Sequence, residues 1–254
     1  MLAALMGATN ATAVALLTLH TIYCVQMNGI KNLRLQSVRS HTHADFQFVG
    51  TMNAIVGPNG SGKTTIIEAL YTLLRGSSFK GSISEIAQYG SNQFRAQLEI
   101  KTENTLHQRA LGYQEIEAAV QKKWSIDGKN YARLPVAARL PVVLFEPDLA
   151  RLISGGPERR RQYLDQIASQ LDLEVAIAQN RFERALKQRN QLLKRLREAP
   201  HKAPPEELFI WNTQLARLSE QIIEARHRVI EKLQNEVSEY YEQLGGTDSI
   251  FLTY

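Results

Sequence analysis

The sequence predicts an α/β fold in two parts: a mixed sheet built around a strand, a glycine-rich loop and a helix, and then a lobe in which two long helices fold back on one another. Three observations predict it. A short apolar run, Met52 to Val56, leads into Gly57-Pro58-Asn59-Gly60-Ser61-Gly62-Lys63-Thr64, and apolar residues at helical spacing follow. Alternating apolar and polar residues recur between Ile30 and Ala132, as in half-buried strands. From Leu171 onward apolar residues keep a 4,3,4,3 spacing, interrupted by Pro200, Pro204 and Pro205.

Composition sets the bounds. A chain of 254 residues, 44% of them hydrophobic, can bury one large core or two smaller ones. The net charge of +5 permits an acidic partner such as nucleic acid without demonstrating one. Cys24 is the single cysteine, which excludes an intrachain disulfide and fits a reducing compartment, so a cytoplasmic location is expected. There is no CxxC or Cys/His cluster for zinc. Leu2 to Leu19 resembles the apolar region of a signal peptide, yet no Lys or Arg occurs before Lys31, and Thr9, Asn10 and Thr12 interrupt the run. It also falls short of the roughly 20 apolar residues of a membrane helix. Neither export nor a membrane partner is expected. Met27 stands just before strand-like sequence and is read as the true start, leaving residues 1–26 as a disordered or weakly helical extension.

The elements follow in order. Ile30 to Val38 and Asp45 to Val49 read as two strands joined by a polar connection at residues 39–44. Met52 to Val56, short and ending in β-branched residues, reads as a buried strand. Ile66, Ile67, Leu70, Leu73 and Leu74 define a helix of about three turns that starts at Lys63. Phe94, Ala96, Leu98 and Ile100 alternate as a further strand. Asp127-Gly128, flanked by Trp124, Ile126 and Tyr131, is a type I′ hairpin signal, so residues 94–132 form an antiparallel sheet. Pro141 to Phe145 reads as a central strand.

The loop at Gly57 to Thr64 is a complete GxxxxGK[ST] motif, and its chemistry explains its residue types. Gly57, Gly60 and Gly62 let successive backbone N–H groups point inward as a nest for phosphate oxygens. Pro58, Asn59 and Ser61 complete the cradle. Lys63 reaches the β and γ phosphates, the Thr64 hydroxyl is the expected Mg²⁺ ligand, and the helix N-terminus adds partial positive charge. The cofactors expected are therefore ATP, as the nucleoside triphosphate, and Mg²⁺.

Two tempting patterns are set aside. Val142 to Glu146 looks like a Walker B strand with Glu146 as base, but Pro147 opens a helix at once and leaves Glu146 as a helix-start residue. Gly155-Gly156-Pro157 superficially resembles an ABC signature, yet Arg159, Arg160 and Arg161 lead into an amphipathic helix, so it reads as a helix stop and restart. No catalytic residue is assigned in this chain.

Leu171, Val175, Ala178, Phe182, Ala185, Leu192 and Leu196 form one coiled-coil stripe, broken at Arg189, and Trp211, Leu215, Leu218, Ile222, Ala225 and Val229 form the other, on a helix running to about Leu244. Residues 180–202 hold eight Lys/Arg against two Glu, and residues 206–243 hold eight Glu against four Lys/Arg. The favoured account is that the basic arm pairs with the acidic one across the hairpin; the alternative is that it meets DNA. Arg159 and Arg160 are the DNA-contact candidates, whereas Arg161 has Asp165 one turn on.

Asn32-Leu33-Arg34-Leu35, the phosphate loop running into Ile67-Glu68-Ala69-Leu70-Tyr71, Ser78-Phe79-Lys80, Phe145-Glu146-Pro147-Asp148-Leu149, Gly156-Pro157-Glu158-Arg159-Arg160-Arg161-Gln162-Tyr163-Leu164-Asp165 and Gln188-Arg189-Asn190-Gln191-Leu192-Leu193-Lys194 together resemble, in order, the RecF family. The likeness runs from Met27 to about Leu244. It implies a P-loop ATPase lobe of ABC/SMC type over residues 27–153, a helical coiled-coil hairpin lobe over 154–244, and the start of a return strand at 245–254. It further implies a bacterial, cytoplasmic ATPase that binds DNA, dimerises on ATP and works with RecR and RecO to load RecA at single-stranded gaps. Ser61 stands where many relatives carry Gln. The family's signature loop and Walker B acids follow the helical lobe, so little hydrolysis is expected of this chain alone. Another SMC-like or ABC ATPase, or a helical interaction module with a vestigial nucleotide site, are the alternative readings.

Overall fold

The computed structural model describes residues 12–15, 22–26, 29–102, 105–117, 119–198 and 205–254. The strands are β1 (Thr12–Ala15), β2 (Ile22–Gln26), β3 (Ile30–Val38), β4 (His41–Gln47), β5 (Met52–Val56), β6 (Gln93–Thr102), β7 (Thr105–Ile116), β8 (Ala119–Ile126), β9 (Lys129–Tyr131) and β10 (Val142–Leu144). The helices are α1 (Lys63–Arg75), α2 (Arg151–Ser154), α3 (Pro157–Leu171), α4 (Leu173–Glu198) and α5 (Pro205–Gln243). The chain divides into two compact units, Met1–Leu149 and Ala150–Tyr254.

The first unit holds two sheets. Six strands form an antiparallel sheet in the order β4-β3-β6-β7-β8-β9, and four form a mixed sheet in the order β10-β1-β2-β5, in which β1 and β10 run parallel. The apolar face of the large sheet carries Leu33, Leu35, Leu98, Leu111 and Trp124, all fully buried, and α1 lays Ile67, Leu70 and Leu74 into the same core. Period-2 alternation in the strands and 3.6-residue periodicity in α1 thus meet on one apolar layer. Asp127 and Gly128 both have positive φ (47° and 82°), as the type I′ turn between β8 and β9 requires.

Several sequence expectations change here. β4 starts at His41 rather than Asp45, because the β3–β4 connection is a turn at Arg39 and Ser40 with Val38 paired to His41. β5 is not buried: Met52, Ala54 and Val56, which share one face of the strand, are exposed, and among the described residues β5 pairs only with β2, at the edge of the small sheet. β10 likewise lies at an edge, not at a centre. Within the segment expected to be disordered or weakly helical, residues 12–15 and 22–26 are strands, their backbones paired with β10 and β5. The remainder of residues 1–26, and Met27, lie outside the described residues.

In the second unit α2 ends at Ser154 and α3 begins at Pro157, with Pro at the first helical position, the stop and restart that the glycines imply. The long helix expected after Arg161 breaks at Asp172. This residue leaves helical geometry (φ −137°, ψ 117°), and its Oδ1 accepts the Glu174 backbone N–H at 2.9 Å, capping α4. The seam of the α4–α5 hairpin buries Ala178, Ala185 and Leu192 against Leu218, Ile222, Ala225 and Val229. Arg189, which breaks the apolar repeat, donates to Asn212 Oδ1 at 2.8 Å and fixes the pairing register. Residues 247–254 form no strand, contrary to expectation. The Gln234 side chain holds them along α5, donating to the Ile250 carbonyl and accepting the Leu252 N–H, each at 2.7 Å.

Leu98 is fully buried on the central strand β6. Leu98→Ala is expected to cost about 2–5 kcal/mol, read as a lowered midpoint in denaturant unfolding.

Candidate phosphate-binding site

Gly57 to Gly62 connect β5 to α1, and two backbone choices shape this loop. Gly60 and Gly62 adopt φ of 81° and 85°, the left-handed region where a side chain is strained. Gly62 is also the residue just before α1, so the turn delivers the chain directly into the helix. Space is as restrictive as torsion. A Cβ on Gly62 would lie 2.4 Å from Ser40 Oγ and from His41 Nε2, and one on Gly57 would lie 2.9 Å from Ser61 Oγ.

Lys63 folds back into the loop. Its ammonium donates to the carbonyls of Gly57 at 2.8 Å and Pro58 at 2.6 Å, and the residue is buried. Thr64 is half-buried on the first turn of α1, while Pro58, Asn59, Gly60 and Ser61 are exposed at the loop mouth. The loop therefore presents two left-handed glycines, a positive side chain folded back against its own carbonyls, and a helix N-terminus. That set fits a phosphate group: backbone N–H groups and Lys63 would hold it, and Thr64 would offer a hydroxyl to an accompanying cation.

The support that holds the loop in place has no signature in the sequence. The tip of the β3–β4 hairpin lies against it, with His41 Nε2 3.3 Å from the Gly62 carbonyl oxygen. That tip is tied to α1 by a forked ion pair, Arg39 Nε to Glu68 Oε2 at 2.7 Å and Arg39 Nη2 to Glu68 Oε1 at 2.9 Å. The Ser78 hydroxyl adds a 2.5 Å hydrogen bond to the same carboxylate, which is almost wholly buried. The bond to Glu68 raises the Arg39 pKa further above its already high value. Glu68 and Ser78 stand in the family-like segments, but no spacing rule joins Glu68 to an arginine 29 positions before it.

The other candidates sit elsewhere. Arg159 and Arg160 lie on the first turn of α3 in the second unit. Arg160 Nη1 donates to the carbonyls of Ile153 (3.3 Å) and Gly155 (3.1 Å), so it also caps the preceding turn. Arg161 pairs with Glu158 at 2.7 Å rather than with Asp165, which is claimed by Arg226 in a two-bond contact at 2.6 and 2.8 Å. Glu146 directly precedes the turn that opens at Pro147, as a helix-start residue would. Among the described residues no group of three His, Cys, Asp or Glu is placed to hold a metal, and no helix is long and apolar enough to cross a membrane.

Strand, glycine loop, lysine and helix on a mixed α/β scaffold define a P-loop nucleotide-binding protein, and residues 32–245 match the AAA domain family, to which the chain belongs. Within that class it is a member of the RecF family. It is 30% identical over 234 residues to the DNA replication and repair protein RecF of Thermomicrobium roseum, covering 88% of this chain and 59% of that protein. It is 34% identical over 212 residues to RecF of Xanthomonas euvesicatoria pv. vesicatoria, covering 81% of this chain and 55% of that protein. The chain thus spans less than two thirds of the length of these relatives. Its fold matches a structure of the recombination mediator protein RecF-ATP in the RecFOR pathway, with a TM-score of 0.70 at 23% identity over 88% of this chain and 58% of that one. A RecF-ATPrS structure matches with a TM-score of 0.72 at 24% identity, over 86% and 59%.

Gly62→Ala combines left-handed strain of about 1–2 kcal/mol with a collision against Ser40 and His41. It is expected to weaken nucleotide binding at least tenfold in a fluorescent-nucleotide titration, while Gly90→Ala, whose Cβ meets nothing within 4 Å, leaves it unchanged.

Proposed function

We propose that the protein is an ATP-binding, DNA-binding RecF protein of recombinational repair and replication-fork maintenance, in which nucleotide occupancy of the loop at Gly57 to Thr64 governs engagement with DNA. The geometry of that loop carries the proposal: two left-handed glycines and an inward-turned lysine suit a polyphosphate. The names of the relatives, DNA replication and repair proteins, and the ATP in the name of a similar structure support it. On this reading Mg²⁺ bridges the Thr64 hydroxyl and the nucleotide. The protein dimerises on ATP in the cytoplasm, acts with RecR and RecO, and promotes RecA loading at gaps and SOS induction. Arg159 and Arg160 supply phosphate contacts to single-stranded or gapped DNA from the start of α3.

Calorimetry with ATP and magnesium tests the core of this reading. Lys63→Ala removes a charged partner of the phosphates, a loss of about 2–5 kcal/mol, so affinity is expected to fall at least about thirtyfold. Equal uptake by wild type and variant would leave the loop a mere structural turn. For DNA, Arg159→Ala/Arg160→Ala is expected to weaken binding alike on all sequences in a gel-shift series. A change in sequence preference would contradict phosphate contact.

A further inference from the structure

The two arms of the helical hairpin do not neutralise each other. Arg181, Arg184, Lys187, Lys194, Arg195 and Arg197 are exposed along α4, and none makes an ion pair among the described residues. The reason is rotational. At about 100° per residue, Glu220 and Glu231 point roughly half a turn away from the seam residues Leu218, Ile222, Ala225 and Val229. Those two face outward on α5, whereas Glu224 lines a groove with Arg181 without forming an ion pair to it. Among the described residues, the cross-hairpin ion pairing favoured from the sequence is not formed.

Other cations of this unit are used. Arg161, Arg226 and Arg228 pair with Glu158, Asp165 and Asp172, and Arg160 caps backbone carbonyls. Among the described residues, the α4 cations stand apart in being clustered and without ion pairs. Arg181, Arg184, Lys187, Lys194 and Arg195 fall within about 140° of helix surface and extend over about 21 Å at 1.5 Å per residue. Glu183 borders this face and Glu198 closes its far end. Its near end is mixed, for Arg181 lines one groove with Arg217 of α5 and another with Glu174 and Glu224. Like charges at this spacing repel and destabilise an isolated helix.

We propose that this face of α4 is a track for the phosphate backbone of double-stranded DNA. The inference rests on the DNA-binding reading above and assigns it a second surface, separate from Arg159 and Arg160. A straight helix braced by α5 presents its cations in a fixed row, which suits a stiff duplex. A single strand would call for aromatic platforms on which bases stack; the stretch from Arg184 to Arg195 holds no aromatic residue, and the exposed Phe209 of α5 lies beside Arg181, at the near end only. Arginine and lysine without base-reading partners give affinity without sequence preference.

The test uses the full chain and a labelled mixed-sequence duplex, followed by fluorescence anisotropy over a series of salt concentrations. Arg184→Gln/Lys187→Gln/Lys194→Gln/Arg195→Gln is expected to lower the slope of log affinity against log salt by about 3–4, near 0.9 for each phosphate that the variant leaves unneutralised. A control, Lys122→Gln/Lys129→Gln on the large sheet, keeps the wild-type slope. Glutamine relieves repulsion without breaking the helix, so circular dichroism and ATP uptake stay at wild-type values. An unchanged slope in the quadruple variant sinks the α4 assignment alone, and so does an equal drop in slope per charge in the control. A weakening confined to a single-stranded probe overturns the duplex assignment. A wild-type chain that binds no DNA at low salt removes the DNA reading itself, and this inference with it.

Discussion

A carboxylate buried to the extent of Glu68 cannot stand alone, and the forked bond from Arg39 is what makes its burial tolerable. That pair does more than neutralise a charge. It stitches the turn between β3 and β4 to the second turn of α1, bringing Ser40 and His41 against Gly62. The hairpin tip thereby becomes a wall for the phosphate loop, and the left-handed glycine there is enforced by neighbours as well as by torsion. Ser78 takes a further lone pair of the carboxylate, so a connection beyond α1 is held at the same point. The loop's shape is thus a tertiary property, although its residue pattern is local.

The helical unit relies on different devices. Its seam is built largely from alanine and medium aliphatic residues, Ala178, Ala185 and Ala225 among them, which let the helices approach closely but bury little area each. Polar contacts set the register instead. Arg189 with Asn212 aligns the arms, and Arg226 with Asp165 ties α5 to α3. The Arg226 guanidinium donates to the Tyr254 hydroxyl and lies within cation–π range of its ring, so residues 247–254 return to the ion pair.

How far the sequence could be read depended on the range of the interaction. The phosphate loop, the Asp127-Gly128 turn and the stripes of α4 and α5 rest on neighbours within a few positions, where torsional preference and periodicity decide the outcome. The exposure of β5, the edge position of β10 and the Arg39–Glu68 tether depend on which strands and helices meet, which spacing does not encode. The break at Asp172 was locally visible as a capping residue but was masked by an apolar pattern that continues through it. Charge counting misjudged the hairpin because composition records how many carboxylates an arm carries and not the direction in which they point.

Lys63 is already bonded to two carbonyl oxygens of its own loop. An ammonium carries three N–H donors, so one remains for an incoming oxygen while the two carbonyls keep the side chain in place. The lysine is thereby ordered before any anion arrives, and an arriving anion meets a partner whose rotamer entropy has already been surrendered.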